Sequence, residues 1–296
     1  MFHYKFNNKA FDSLGWFFLI IWIVFTLFPL YWVGSSSFKK PSEVFGIPPT
    51  WKFTPTVDNY KILLGLDPIP TRILDTNTVI KSKAQSPFLK NLLSSIIVST
   101  ISTIMAILIG TPAGYTLARY QFKYREFLTS LIFFARLLPA VAILIPTYTI
   151  MMEFGLLGTY LGLILVYLSF NTPLVVWMMK GYFSQLPLNL EEAARIDGCS
   201  RWGAFINVIL PISLPGISSA AIMTFILSWN EFMFAIMLTS RDTRTLTGLI
   251  STYITDSGIL WGRLFAASTL ILFPIIIFTL LVQGKLFTGL QGAAKG

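Results

Sequence analysis

Runs of about twenty residues without a charge constrain this chain more than any other feature. Hydrocarbon offers no water to pair with backbone N–H and C=O groups, so such a run crosses a bilayer only as a helix, and roughly 20 residues cover about 30 Å. Six runs qualify, at 13–34, 91–118, 126–152, 154–180, 211–240 and 264–284. Away from their ends, only the third (Arg136) and the fifth (Glu231) carry a charge. With 54% hydrophobic residues, 12% charged residues and a mean hydropathy of +0.70, the chain reads as an all-α integral membrane protein with six transmembrane helices. The first run ends in Tyr31 and Trp32 rather than small residues, so it is expected to be retained, not cleaved as a signal.

The short connections set the orientation. One side collects ten basic residues: Lys5, Lys9, Arg119, Lys123, Arg125, Lys180, Arg195, Arg201, Lys285 and Lys295. The other side's short connections have only Arg241, Arg244 and Arg263. Positive residues favour the cytoplasm, which places the N-terminus (1–12), the connection 187–210 and the tail (285–296) inside, and 35–90 and 241–263 outside. This scatter at span ends accounts for the net charge of +9 without nucleic acid. A single cysteine, Cys199, rules out a disulfide framework, and a single histidine, His3, argues against a histidine metal site.

Outside the spans, prolines crowd 35–90 and discourage long helices there, with Asp58 expected to cap a short one ending at Leu64. Inside the spans, Pro112, Pro139, Pro146, Pro173 and Pro274 are expected to kink or interrupt helices. "GTPAG" at Gly110 to Gly114 places two glycines four apart, which lets another helix come close to span two. A mid-membrane charge costs at least about 2.5 kcal/mol on insertion scales, so Arg136 should pair with Glu231 or line a solute path. Tyr148, Asn171 and Asn230 join these two as path candidates. No P-loop is present, no acid cluster suggests an enzyme, and spans one, two, four and six have no carboxylate to couple ions. Energy for uphill transport is therefore expected from elsewhere.

The connection "EEAARIDGCSRWGAFINVILP", Glu191 to Pro211, is the polar exception. Asn189 with Glu192 three residues on forms a capping pair, so a short helix should start at Leu190 and stop near Gly198. Ser200 should cap a second, Arg201 to Leu210, which Pro211 separates from span five. From the residues alone this elbow is either an interfacial connector or a docking surface. As an interfacial connector it would anchor Trp202 and Phe205 in the headgroups.

The series Glu192-Ala193-Ala194, three residues, Gly198, nine residues, Val208, one more and Leu210-Pro211 resembles the EAA motif of binding-protein-dependent ABC importer permeases, with Val208 where the family usually has Ile. "SWNEFMFA" from Ser228, "GYTLARYQFKYR" from Gly114 and the tail "GLQGAAKG" are similar to the carbohydrate-uptake branch, close to the G-type permease of maltose-like systems. Only about Leu66 to Pro87 reads as an addition. The resemblance implies the type I importer fold and a non-catalytic subunit of a bacterial inner membrane. It implies a second related permease, two ATP-binding subunits that hold ATP and Mg, and an external solute-binding protein, with no cofactor on this chain. It also implies an ATPase-coupling role for Glu191, Glu192, Ala193, Ala194, Asp197 and Gly198, and a tail (Gly289, Gln291, Lys295) that reaches the ATPase. The loop with Arg241, Asp242 and Arg244 would meet the binding protein. The expected solute is a sugar or oligosaccharide; a non-carbohydrate solute and an autonomous secondary transporter are the alternatives. Eleven external Lys/Arg against seven acids would suit an acidic sugar or an acidic binding protein.

Overall fold

The computed structural model describes residues 9–40, 43–44, 50–68, 70–72, 79–81, 86–255 and 258–293. The chain divides into two compact units, Met1–Ser86 with Tyr253–Leu270, and Pro87–Thr252 with Ile271–Gly296. The first holds α1 (Lys9–Ser37), α2 (Asp58–Leu63), the strands β1 (Pro70–Arg72) and β2 (Val79–Lys81), β3 (Ile254–Thr255) and β4 (Gly258–Ile259), and the start of α13 (Trp261–Ala293). Both strand pairs are antiparallel, so the all-helical expectation needs two small ladders added. One of them lies within 66–87.

Residues 15–31 of α1 are exposed in this chain, as an apolar helix that meets lipid or a partner must be. Just beyond α1 the chain is pinned by Asn59, whose buried amide donates to the carbonyls of Ser37 (2.9 Å) and Lys39 (3.0 Å). Lys39 is 1% exposed, with its ammonium 4.3 Å from the Trp32 ring centre and 5.1 Å from that of Phe53, where the ring faces offset part of its lost hydration. Asp58 does not cap α2 but starts it; its N–H is taken by the Thr56 hydroxyl.

The second unit is built on α3 (Phe88–Arg119) and α6 (Tyr160–Gln185). The two glycines explain their close approach. A Cβ on Gly110 would lie 2.7 Å from Val175, and one on Gly114 would lie 2.8 Å from Met179 and 3.0 Å from the α6 backbone. Against this pair lies α10 (Leu214–Asn230), joined by buried hydroxyls and amides: Asn171 donates to the Ser228 hydroxyl at 2.7 Å, and Ser102 reaches the same oxygen at 3.3 Å. These hydrogen bonds cross three helices where water is excluded.

Two of the apolar segments are broken, the first at Pro139, one of the prolines expected to interrupt a helix. Span three is α4 (Arg125–Leu137) and α5 (Ala140–Glu153), bent by 94°. Leu138 is extended there (ψ 125°), because the ring of Pro139 disfavours a helical residue before it. Span five is bent by 72° at Ser213, between the short α9 (Leu210–Ile212) and α10, and stops again at Glu231 before α11 (Met233–Leu238). By contrast, Pro112, Pro146, Pro173 and Pro274 lie inside continuous helices. One missing N–H is tolerated where the helix on both sides is held in place. By length and composition four described helices can cross a membrane, and six segments can if each bent pair counts as one. Gly114→Leu drives a branched side chain into backbone atoms that cannot move aside; a loss of about 1–3 kcal/mol is expected, read as a lower melting temperature in detergent with the wild-type helical content retained by circular dichroism.

Candidate functional site

The polar elbow is α7 (Asn189–Ile196), α8 (Arg201–Ala204), a π-turn over Phe205–Ile209, and α9. Asn189 is already helical, and the carbonyl of Leu188 receives the first N–H bonds, from Glu191 (3.0 Å) and Glu192 (3.2 Å). The expected capping pair is not formed. The stop is as read: Asp197 ends α7 and Gly198 adopts φ +90°, a conformation that costs any residue with a Cβ. No atom lies within 4 Å of a Cβ placed there, so the glycine is required by the turn and not by a close neighbour. Ser200 caps α8 by accepting from the Gly203 N–H at 3.1 Å. The regular helix expected up to Leu210 instead widens into a π-turn, with the Leu210 N–H bonded to the Phe205 carbonyl. Pro211 has no N–H for the Asn207 carbonyl and its ring crowds that oxygen, which accounts for the wider turn just before it.

One side of the elbow is fastened to the end of α3. The carboxylate of Glu191 meets the Arg119 guanidinium at 2.7 Å, with the side chains 16% and 6% exposed, and accepts from the Tyr115 hydroxyl at 3.1 Å. The Arg119–Glu191 contact is ionic, off the line of an N–H hydrogen bond; Arg119 also donates to the Leu186 carbonyl at 2.9 Å, just before the elbow. The Tyr115 ring lies 4.4 Å from that of Phe205 and 5.4 Å from that of Phe183. Phe205 is thus 4% exposed in a core with Met179 and Ile209, whereas Trp202 is 63% exposed. The elbow's other side is open: Glu192, Ala193, Arg195 and Asp197 are exposed, Ile196 is 86% exposed, and Ala194 is buried.

Residues 106–289 match the family described as "Binding-protein-dependent transport system inner membrane component". The chain belongs to this family. It is 33% identical to the sulfoquinovosyl glycerol transport system permease protein SmoH of Agrobacterium fabrum, over 93% of this chain and 91% of that one. Its identity to the trehalose transport system permease protein SugB of Mycobacterium tuberculosis is 31%, over 92% and 93%. In fold it is similar to a chain of a bacterial ABC transporter involved in the import of the acidic polysaccharide alginate, with a TM-score of 0.71, 19% identity, and 96% and 99% of the two chains covered. It is also similar to a chain of the MetNI methionine ABC transporter, with a TM-score of 0.58, 18% identity, and 68% and 95% covered. The chain is a permease subunit of an ABC importer with the type I fold.

The permease's other candidate residues do not form one site. Arg136 and Glu231 border a cavity of about 210 Å³ without forming an ion pair among the described residues. Arg136 donates to the Phe170 carbonyl at 3.2 Å. Glu231 caps α11, accepting from the N–H groups of Phe234 (2.9 Å) and Ala235 (3.0 Å) and from the Tyr167 hydroxyl (2.9 Å). Asn171 is buried between helices, Asn230 bonds back to the Ile226 carbonyl, and Tyr148 packs on the core around Leu163 and Phe234. Asp242 pairs with Lys90 at the start of α3, and that ammonium holds its carboxyl below the usual range; both are exposed. Arg241 is exposed and Arg244 lies over Gly248 at the start of α12 (Leu246–Ser251). Gly289 and Gln291 lie on α13, and Lys295 lies outside the described residues. The residues that sequence reading missed are Tyr115 and Arg119. Their spacing of four marks a shared helix face, but nothing local ties that face to a glutamate 76 residues further on. In a double-mutant cycle of Arg119→Ala with Glu191→Ala, thermal unfolding is expected to show a coupling of about 1–3 kcal/mol, against none for Arg119→Ala with Glu192→Ala.

Proposed function

We propose that this permease moves a sugar or oligosaccharide inward, receiving it from an external binding protein and forming the pathway with a second, related permease. Two ATP-binding subunits bind ATP and Mg and perform the hydrolysis; this chain is non-catalytic, has no cofactor of its own, and has both termini in the cytoplasm. The relatives named above for a sulfoquinovosyl glycerol and for trehalose support the sugar class. The neighbour crystallised with an alginate pentasaccharide-bound periplasmic protein supports an external delivery partner.

The observation that carries the mechanism is the two-sided elbow. Its inner side is fastened to α3 through Glu191, while Glu192, Arg195 and the apolar Ile196 face outward. A partner that grips the outer side pulls on α3 through a partly buried ion pair and on α6 and α10 through the Tyr115–Phe205–Phe183 core. ATP-driven closure of the ATP-binding subunits thereby tilts the spans. Tail residues Gly289, Gln291 and Lys295 add a contact between those subunits, and Arg241, Asp242 and Arg244 meet the binding protein. Arg136 alone would favour an acidic sugar, but Glu231 borders the same cavity and offsets that field. Equal competition by neutral and uronic oligosaccharides in transport assays is therefore expected.

Gly198→Asp strains the turn between the two elbow helices. Expected is an expressed and assembled permease whose ATP hydrolysis no longer drives uptake, measured in proteoliposomes; normal coupled transport would refute the elbow's role. Glu192→Ala should weaken co-purification of the ATP-binding subunits with no change in the permease's melting temperature, whereas Glu191→Ala should lower that temperature.

A further inference from the structure

A cavity of about 720 Å³ opens between α4 and α6, near their elbow-side ends. Its one charged lining group is Lys180, half-buried, which donates to the Thr129 hydroxyl at 3.2 Å and forms no ion pair among the described residues. An ammonium has three N–H donors, of which the Thr129 hydroxyl takes one. Ser184 and Gln185 add polar groups to the same wall, and no carboxylate among the described residues lines it. Lys180 lies five residues before the end of α6 and Thr129 four after the start of α4. At 1.5 Å per residue these groups sit about 6–8 Å inside the helix ends.

The surroundings are those of an amphiphile's site. Thr129, Phe133 and Arg136 share the face of α4 turned to α6, while the opposite face presents Phe127, Leu131 and Phe134, exposed by 65, 52 and 64%. At the cavity's edge, Phe133 and Trp177 are 45 and 58% exposed. A soluble sugar would leave this apolar rim unmatched. A phospholipid matches both parts, with an anion for the lone cation and acyl chains for the rim.

We propose that the cavity binds an anionic phospholipid of the leaflet on the elbow's side, its phosphate held by Lys180 Nζ, which the Thr129 oxygen positions while its own O–H goes to the Arg125 carbonyl, and its chains lying along the apolar rim. This rests on the cytoplasmic placement of the elbow. It makes the angle between α4 and α6 responsive to the charge of that leaflet, because the lipid adds a bridge between two helices already joined by the Lys180–Thr129 and Arg136–Phe170 bonds.

The test uses the whole transporter, purified with its second permease and ATP-binding subunits from nanodiscs of phosphatidylcholine with or without phosphatidylglycerol, and counts retained lipids by native mass spectrometry. Wild type is expected to keep one phosphatidylglycerol more than Lys180→Gln, whose affinity falls about tenfold, the effect of one charge-assisted hydrogen bond. Lys180→Arg should keep the lipid, and Thr129→Val, which leaves the charge in place, should lose part of it if Lys180→Gln fails to assemble. Equal retention by wild type and Lys180→Gln overturns the proposal. Thermal protection by inorganic phosphate equal to that by the lipid, or displacement of the lipid by a transported glycoside, also overturns it. Subunit composition in the same spectra reports separately whether ATP-binding subunits accompany the chain, so that reading fails or holds independently of the lipid count.

Discussion

The close approach of α3 and α6 is the constraint on which the second unit depends. Without side chains at Gly110 and Gly114, the two backbones come near enough for dispersion contacts and buried hydroxyls to hold them where no hydrophobic effect operates between helices. The same approach places Tyr115 and Arg119 at the end of α3, beside the end of α6, where the chain turns into the elbow. Packing inside the membrane segment and positioning of the elbow outside it are thus one continuous arrangement, since the ring of Tyr115 belongs to the core while its hydroxyl reaches Glu191.

The departures from regular helix fall where the chain has a reason to bend. Pro139 breaks α4 from α5 through the residue before it, Pro211 lies beside the π-turn, and Glu231 caps α11 where α10 stops. At the last of these, the Glu231 carboxylate takes the free N–H groups of Phe234 and Ala235. Segments jointed in this way can tilt as short rigid pieces, which suits a permease that must open first on one side and then on the other.

Much of the elbow was legible because its signals are local. A glycine with positive φ at Gly198 and a serine cap at Ser200 depend on the next three or four residues, and both appear as read. The Asn189–Glu192 capping pair was not formed because the carbonyl of Leu188 begins the helix first. The interfacial-connector reading would anchor Phe205 in the headgroups, yet it is core. An aromatic residue on a short helix looks the same in sequence whether it faces lipid or Tyr115. The two adjacent glutamates are the sharpest case: sequence gives them one role, whereas Glu191 turns inward to Arg119 and Glu192 outward.

The sequence by itself determined the membrane class, the number of apolar segments and the family motif, because hydropathy, length and spacing are properties of consecutive residues. Tertiary structure decided which prolines break their helices, which glutamate holds the elbow, and that Arg136 and Glu231 share a cavity without pairing. Those outcomes depend on partners tens of residues away, and the energy of an ion pair or a buried ring is fixed by distance and burial, which no local pattern contains.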